Sequence, residues 1–184
     1  MTGKFLVAAA LAALSTPCGA AVLVLGNSSA RLCYEAAEAR VAPARESLAQ
    51  CDMALYGDAL GYDDRVATFV NRGILRLRGG AVDSAIADFD SAIATDPNQA
   101  EAYLNKALAL VRANRDWDGA IGLFNTALEK RTRKPALAYY GRAVAQEMQG
   151  RVRDAYLDYR EASRLDPKWR DPQIELTRFS VRHQ

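Results

Sequence analysis

Three stretches of the chain place aromatic and small residues at nearly the same spacing. Phe69, Tyr103 and Tyr139 are each followed four residues later by a small residue, at Gly73, Ala107 and Ala143. Ala85, Ala120 and Ala155 come next, then aromatics at Phe89, Phe124 and Tyr159, then Ala92, Ala127 and Ala162. The second halves recur every 35 residues, while the first halves are offset by 34 and then 36. A fixed period in this range predicts a stacked repeat architecture. Small residues stand where two antiparallel helices must approach within about 8–10 Å, and large ones fill the space where the pair splays. Asp96-Pro97 and Asp166-Pro167 end second helices, because the residue before proline is pushed out of the α region. Each pair leaves an apolar side that only a neighbouring pair can cover.

This order of aromatic, small residue, Ala, aromatic, Ala and Asp-Pro resembles the tetratricopeptide repeat, a helix-turn-helix unit of about 34 residues. The resemblance covers residues 65–167, with the best fit at 69–97 and 139–167. In the middle unit Asn114-Arg115 lengthens the inner turn, and the run 130–135 replaces the Asp-Pro end. The resemblance implies an all-α fold, a right-handed α-solenoid of antiparallel helix hairpins with a C-terminal capping helix. The expected organisation is a secretory signal peptide at 1–21, a degenerate hairpin with its linker at 22–64, repeats at 65–98, 99–135 and 136–167, and a capping segment at 168–184. In that last segment Asp171 is the expected N-cap, with Pro172 at the first helical position. A helix over 173–182 would then turn Ile174, Leu176 and Phe179 inward.

The N-terminal pattern is different. Lys4 precedes ten apolar residues, Phe5 to Leu14, and then Ser15, Thr16, Pro17 and small residues through Ala21. These are the three parts of a cleaved export leader, with cleavage expected after Ala20 or Ala21. The alternative is an uncleaved membrane anchor, since no charge falls between Lys4 and Arg31. A spanning helix wants about 20 apolar residues, and Pro17 and Gly19 interrupt this stretch. Lipidation of Cys18 is disfavoured by the Pro17 before it. The membrane therefore enters only at the precursor stage, and the expected location is periplasmic or secreted. Residues 20–25 read either as the end of the leader or as a short extended segment.

Export changes the meaning of the cysteines. With Cys18 removed, Cys33 and Cys51 remain, and an even number in an exported chain reads as a disulfide; two buried thiols are the alternative. Residues 29–40 and 44–56 read as two short helices around Pro43, with Ser28 or Ser29 as N-cap. Cys51 occupies the place of Phe89, Phe124 and Tyr159, so the hairpin resembles a degenerate repeat pinned covalently. Closing such a loop contributes about 3 kcal/mol. Residues 57–64 read as a linker, with Asp63-Asp64 opening the next helix.

Charge and chemistry mainly exclude. The formal charge is +2 over 184 residues, which argues against a dedicated nucleic-acid binder with a basic stripe. The sole histidine, His183, is next to the last residue, a poor place for a catalytic base. With two cysteines it cannot complete a zinc site, so neither metal nor cofactor is expected. Gly79-Gly80 lacks the context of a phosphate loop and sits at an inner turn. Asp83, Asp88, Asp90, Asp118, Asp154 and Asp158 are expected on solvated outer faces, so no catalytic residue is nominated. The basic run Lys130, Arg131, Arg133 and Lys134 reads as a helix C-terminus and a solvated loop.

What remains is the concave surface lined by the first helices. Its candidate residues are Val70, Asn71, Ile74 and Arg78 in the first repeat, Leu104, Asn105, Leu108 and Arg112 in the second, and Tyr140, Val144 and Met148 in the third. The apolar ones either pack against adjacent repeats or form a trough, which on a monomer marks a binding site. Asn71 and Asn105 share one repeat position, where peptide-binding members of the resembled family often hold a ligand's backbone amide. Gly141 interrupts that ladder. Chaperone-binding members grip a carboxylate terminus with basic residues, but here those positions hold Val70, Ile74, Leu137 and Gly141. The expected partner is thus a protein or peptide segment in the groove, with homodimerisation through the trough or the terminal helix as the alternative. Whether residues 20–25 fill that trough is left open by the sequence.

Overall fold

The structure is a computed structural model describing residues 19–24, 28–39, 45–57 and 59–179. Among these residues there are nine helices and no strand: α1 (Ser28–Glu38), α2 (Arg45–Gly57), α3 (Tyr62–Arg78), α4 (Val82–Thr95), α5 (Ala100–Arg112), α6 (Trp117–Glu129), α7 (Pro135–Met148), α8 (Val152–Leu165) and α9 (Arg170–Leu176). Helices pair in chain order as α1–α2, α3–α4, α5–α6 and α7–α8, and α9 packs on α8. α1, α3, α5 and α7 also touch in succession. The first helices therefore form one layer and the second helices another, the α-solenoid expected from the repeat. None of the helices among the described residues is long and apolar enough to cross a membrane, and residues 1–18 of the leader expected at 1–21 lie outside the described residues.

The aromatic and small positions explain the stacking. Phe89, Phe124 and Tyr159 are fully buried. A methyl group added to Gly73 would lie 2.4 Å from Phe89 Cε1, and one added to Gly141 would lie 2.4 Å from Phe124 Cζ. The missing side chains are thus the space that the rings occupy. Phe69, Tyr103 and Tyr139 are only half-buried. They carry cations on their faces instead: Arg72 lies over Phe69, Lys130 over Tyr103 and Arg142 over Tyr139.

Helix ends follow local chemistry. Asp63 and Asp64 lie in the first turn of α3, and Gly80 closes its turn with φ +83°. α4 and α8 stop at Thr95 and Leu165, just before the two Asp-Pro pairs. The longer turn of the second repeat needs positive φ at both Asn114 and Asp116, and Asp116 caps α6 by accepting from the Gly119 N–H. Pro135 opens α7.

Three expectations are corrected. Asp88 and Asp158 do not lie on solvated faces: both are buried at the α3–α4 and α7–α8 contacts, held by arginines of the preceding helix. The stretch 57–64 is less of a linker than expected, since α2 runs through Gly57 and α3 already starts at Tyr62. The capping helix starts earlier, at Arg170, and ends at Leu176, with Trp169 rather than Asp171 at the N-cap position. Pro172 and Glu175 are buried, Leu176 packs against the core as expected, and Ile174 is 59% exposed. Asp171 instead accepts from the Trp169 indole N–H at 3.0 Å. Phe179 does pack as expected, against Tyr156 and Tyr159.

Candidate peptide groove

The inner layer is occupied by the chain's own N-terminal residues. Gly19–Val24 run without helix or turn along α5 and α3 and end on the first hairpin, where Val24 packs in a cluster with Ala30, Ala54 and Ala67. Asn71 holds this segment with both ends of its carboxamide. Its Oδ1 accepts from the Val22 N–H at 2.8 Å, and its Nδ2 donates to the Val22 carbonyl at 2.8 Å. Asn105 makes the same pair of bonds with the N–H and carbonyl of Ala20, each at 3.4 Å. Residues two apart in an extended chain present their backbone to the same side. Two asparagines one repeat apart thus engage every second residue of the segment.

The expected groove residues divide into floor and rim. Val70, Asn71, Ile74, Leu104, Asn105, Leu108, Tyr140 and Val144 are all buried. Ala20 shares a core cluster with Leu104, Leu108, Tyr140 and Val144, and Ala21 shares one with Val70 and Ile74. An open apolar trough is therefore not what this state of the molecule presents. Arg78 belongs to the hairpin contact, donating to the Ala39 carbonyl at 2.7 Å. Arg112 is exposed and Met148 half-buried; no bond joins either to the segment. Gly141 is filled against Phe124 rather than left as a gap in the groove.

Two groove residues were not expected. Arg133, from the basic run, donates to the Ala21 carbonyl at 3.1 Å. Glu101 positions it: the carboxylate accepts from the Arg133 backbone N–H at 2.9 Å and from its Nε at 3.4 Å. A pocket of about 330 Å³ opens beside Val22 and Leu23, lined also by Asp96, Asn98, Glu101, Lys130, Arg131 and Arg133. Only the turn between α6 and α7, with φ +60° at Arg131, brings these charges to the rim. The spacing of the run carries no sign of it.

The frame around the groove is set by buried ion pairs. Arg72 donates to Asp88 through Nε at 3.1 Å and Nη2 at 2.7 Å, and to Asp52 of α2 at 2.6 Å. Burial lowers the Arg72 pKa, but its bonds to Asp88, Tyr56 and Asp52 outweigh this and hold it above the usual arginine value. Seventy residues on, Arg142 repeats the arrangement with Asp158 at 2.7 and 2.8 Å, and that hydrogen bonding raises its pKa. The middle repeat has Lys106 and Leu123 at the equivalent positions, and Lys106 turns to Asp90 instead. At the far end, the Tyr159 hydroxyl donates to Glu147 at 3.0 Å, and Glu147 also holds Arg178 at 2.9 Å. Cys33 and Cys51 are joined in a disulfide, fully buried, with 4.9 Å between Cα atoms. It locks the hairpin against which the segment ends. His183 lies outside the described residues.

An α-solenoid of helix hairpins with an extended segment along its inner layer defines a class of interaction scaffold. The tetratricopeptide repeat profile matches residues 70–132 and 110–168, more than half of the chain, and the chain belongs to that family. No curated protein sequence matches it. Among solved structures it is similar to the Arabidopsis OM64 TPR domain, with a TM-score of 0.60 and 23% identity over 64% of this chain and 96% of that one. It is also similar to the first TPR of Spaghetti (RPAP3) bound to HSP90 peptide SRMEEVD, with a TM-score of 0.57 and 23% identity over 61% and 88%. At this identity the likeness concerns the fold.

Proposed function

We propose that the protein is an exported adaptor that holds an extended segment of another protein along its concave groove. The observation that carries this reading is the double amide clamp. Asn71 and Asn105 each donate to and accept from one residue of an extended chain, a contact that any non-proline residue can supply. Membership of a repeat family whose concave face is its usual docking surface supports the same reading. Val70, Ile74, Leu137 and Gly141 stand where chaperone-binding members place basic residues for a terminal carboxylate. The partner is therefore held by its backbone and not by its end. The export part of the proposal is supported by the leader-like residues 1–21 and by the disulfide, a bond typical of oxidising compartments and rare in the cytosol; in a bacterium the corresponding compartment is the periplasm. Homodimerisation through the trough is the weaker reading, because the chain's own residues cover the apolar floor.

The test is a photo-crosslinking residue at position 112, an exposed groove position on α5 that does not belong to the resident segment, used in living cells. Crosslinks to a partner are expected, and Asn71→Ala combined with Asn105→Ala should abolish them without loss of helicity. Crosslinks that persist unchanged in the double variant would refute the groove as the docking surface. Export is tested separately by N-terminal sequencing of the protein from fractionated cells, where an intact leader in the cytosolic fraction is the contrary result.

A further inference from the structure

We infer that, in the chain that still carries its leader, residues 19–24 are a replaceable occupant, and that the channel they fill docks an extended peptide carrying small residues at the positions of Gly19, Ala20 and Ala21. The inference rests on the adaptor reading above and adds the chemistry of the peptide. The side chains that bond the segment reach only its backbone: Asn105 at Ala20, Arg133 at Ala21 and Asn71 at Val22. Nothing in those bonds requires this particular sequence. Selectivity comes from space. A methyl group on Gly19 would stand 2.9 Å from Ile74 Cγ2, inside normal carbon–carbon contact. Ala20 and Ala21 are 2% and 8% exposed, whereas Leu23 is 51% exposed. Val24 is buried among alanines. The channel thus admits three successive small residues, tolerates any side chain at the fifth position and takes a β-branched residue at the sixth.

The hold is uneven. At Ala20 both bonds are 3.4 Å long, against 2.8 Å at Val22. A tethered occupant competes at an effective concentration of about millimolar. A peptide arriving in trans is bound only by the fraction of molecules that the segment has left.

The test uses the full chain with its leader uncleaved and a fluorescent, end-blocked hexapeptide, Gly-Ala-Ala-Val-Leu-Val, read by anisotropy. Ala20→Glu expels the resident by placing a charge on the apolar floor, and Val22→Pro does so by removing the N–H that Asn71 accepts. Both changes lie outside the helices, and circular dichroism checks that the fold is retained. The hexapeptide should bind either variant at least about tenfold more tightly than the unsubstituted chain. Leucine in place of the first alanine of the peptide should weaken binding by about tenfold or more, as should N-methylation of its first valine. Equal affinity for all three proteins, no binding to any of them, or equal binding of the leucine-bearing peptide would overturn the inference. Asparagine-dependent crosslinks in cells together with failure of the hexapeptide would remove the small-residue rule and leave the adaptor reading standing.

Discussion

At the scale of single residues, the repeat is decided by who leaves space for whom. Gly73 is in the middle of α3, where alanine would ordinarily stabilise the helix by about 1 kcal/mol. Its missing methyl would meet Phe89 at 2.4 Å, and overpacking of this kind costs about 1–3 kcal/mol. The clash should win. Gly73→Ala is expected to lower the free energy of unfolding in urea, while Gly122→Ala, with nothing within 4 Å of the new methyl, should raise it by about 0.5–1 kcal/mol. Tyr159 gives a second prediction. Burial, with the Glu147 carboxylate beside it, lifts its pKa above the ordinary 10.0. The folded state therefore keeps a proton that the unfolded state gives up, so stability is full below pH 10 and falls as the pH rises beyond it. The expected slope is about 1.4 kcal/mol per pH unit. Tyr159→Phe should flatten that alkaline limb in an unfolding series, and an unchanged slope would place its origin elsewhere.

At the scale of elements, helix pairing was legible and polar cross-links were not. The 35-residue period identifies three helix pairs because small and aromatic positions report directly on close approach. The same period did not report that Asp88 and Asp158 face Arg72 and Arg142, since a charged residue beside a core aromatic can point either way. A signal was present all the same. Arg72, Lys106 and Arg142 share one register, and an aspartate precedes the aromatic in the two repeats that have arginine. Removing one member of a buried pair costs about 3–5 kcal/mol, so Asp88→Ala should destabilise strongly. Combining Arg72→Lys with Asp88→Leu copies the middle repeat and should cost much less. Thermal unfolding of the single and double variants distinguishes these outcomes. The capping helix shows the limit of local signals: Asp171-Pro172 looks like a helix start, but Trp169 packs on Tyr140 at 4.7 Å between ring centroids. The chain then turns into helix as soon as that ring is seated.

At the scale of the molecule, the disulfide and the groove form one device. Cys33–Cys51 pins the hairpin whose alanines receive Val24, so the covalent bond supports the end of the channel as well as the end of the stack. Replacing both cysteines by serine should lower stability by about 2–4 kcal/mol. It should also speed amide exchange at residues 20–24, and protection that stays at the parental level would separate hairpin from groove. The channel also bears on processing. Cleavage after Ala20 would take away the partner of Asn105 and leave that of Asn71, vacating half of the site at the moment of export.

The all-α stack, the three repeats and the shared register of Asn71 and Asn105 follow from the sequence alone, because a periodic fold writes its contacts at fixed intervals along the chain. The occupant of the groove does not. Residues 19–24 meet Asn105 across 85 positions and Arg133 across 112, and no periodicity links a short extended segment to a surface that distant. Only the assembled curve of α3, α5 and the α6–α7 turn brings the two amides, the arginine and the apolar floor around one strand of backbone. That convergence decided, where the sequence had left both outcomes open, that the chain's own residues fill the trough.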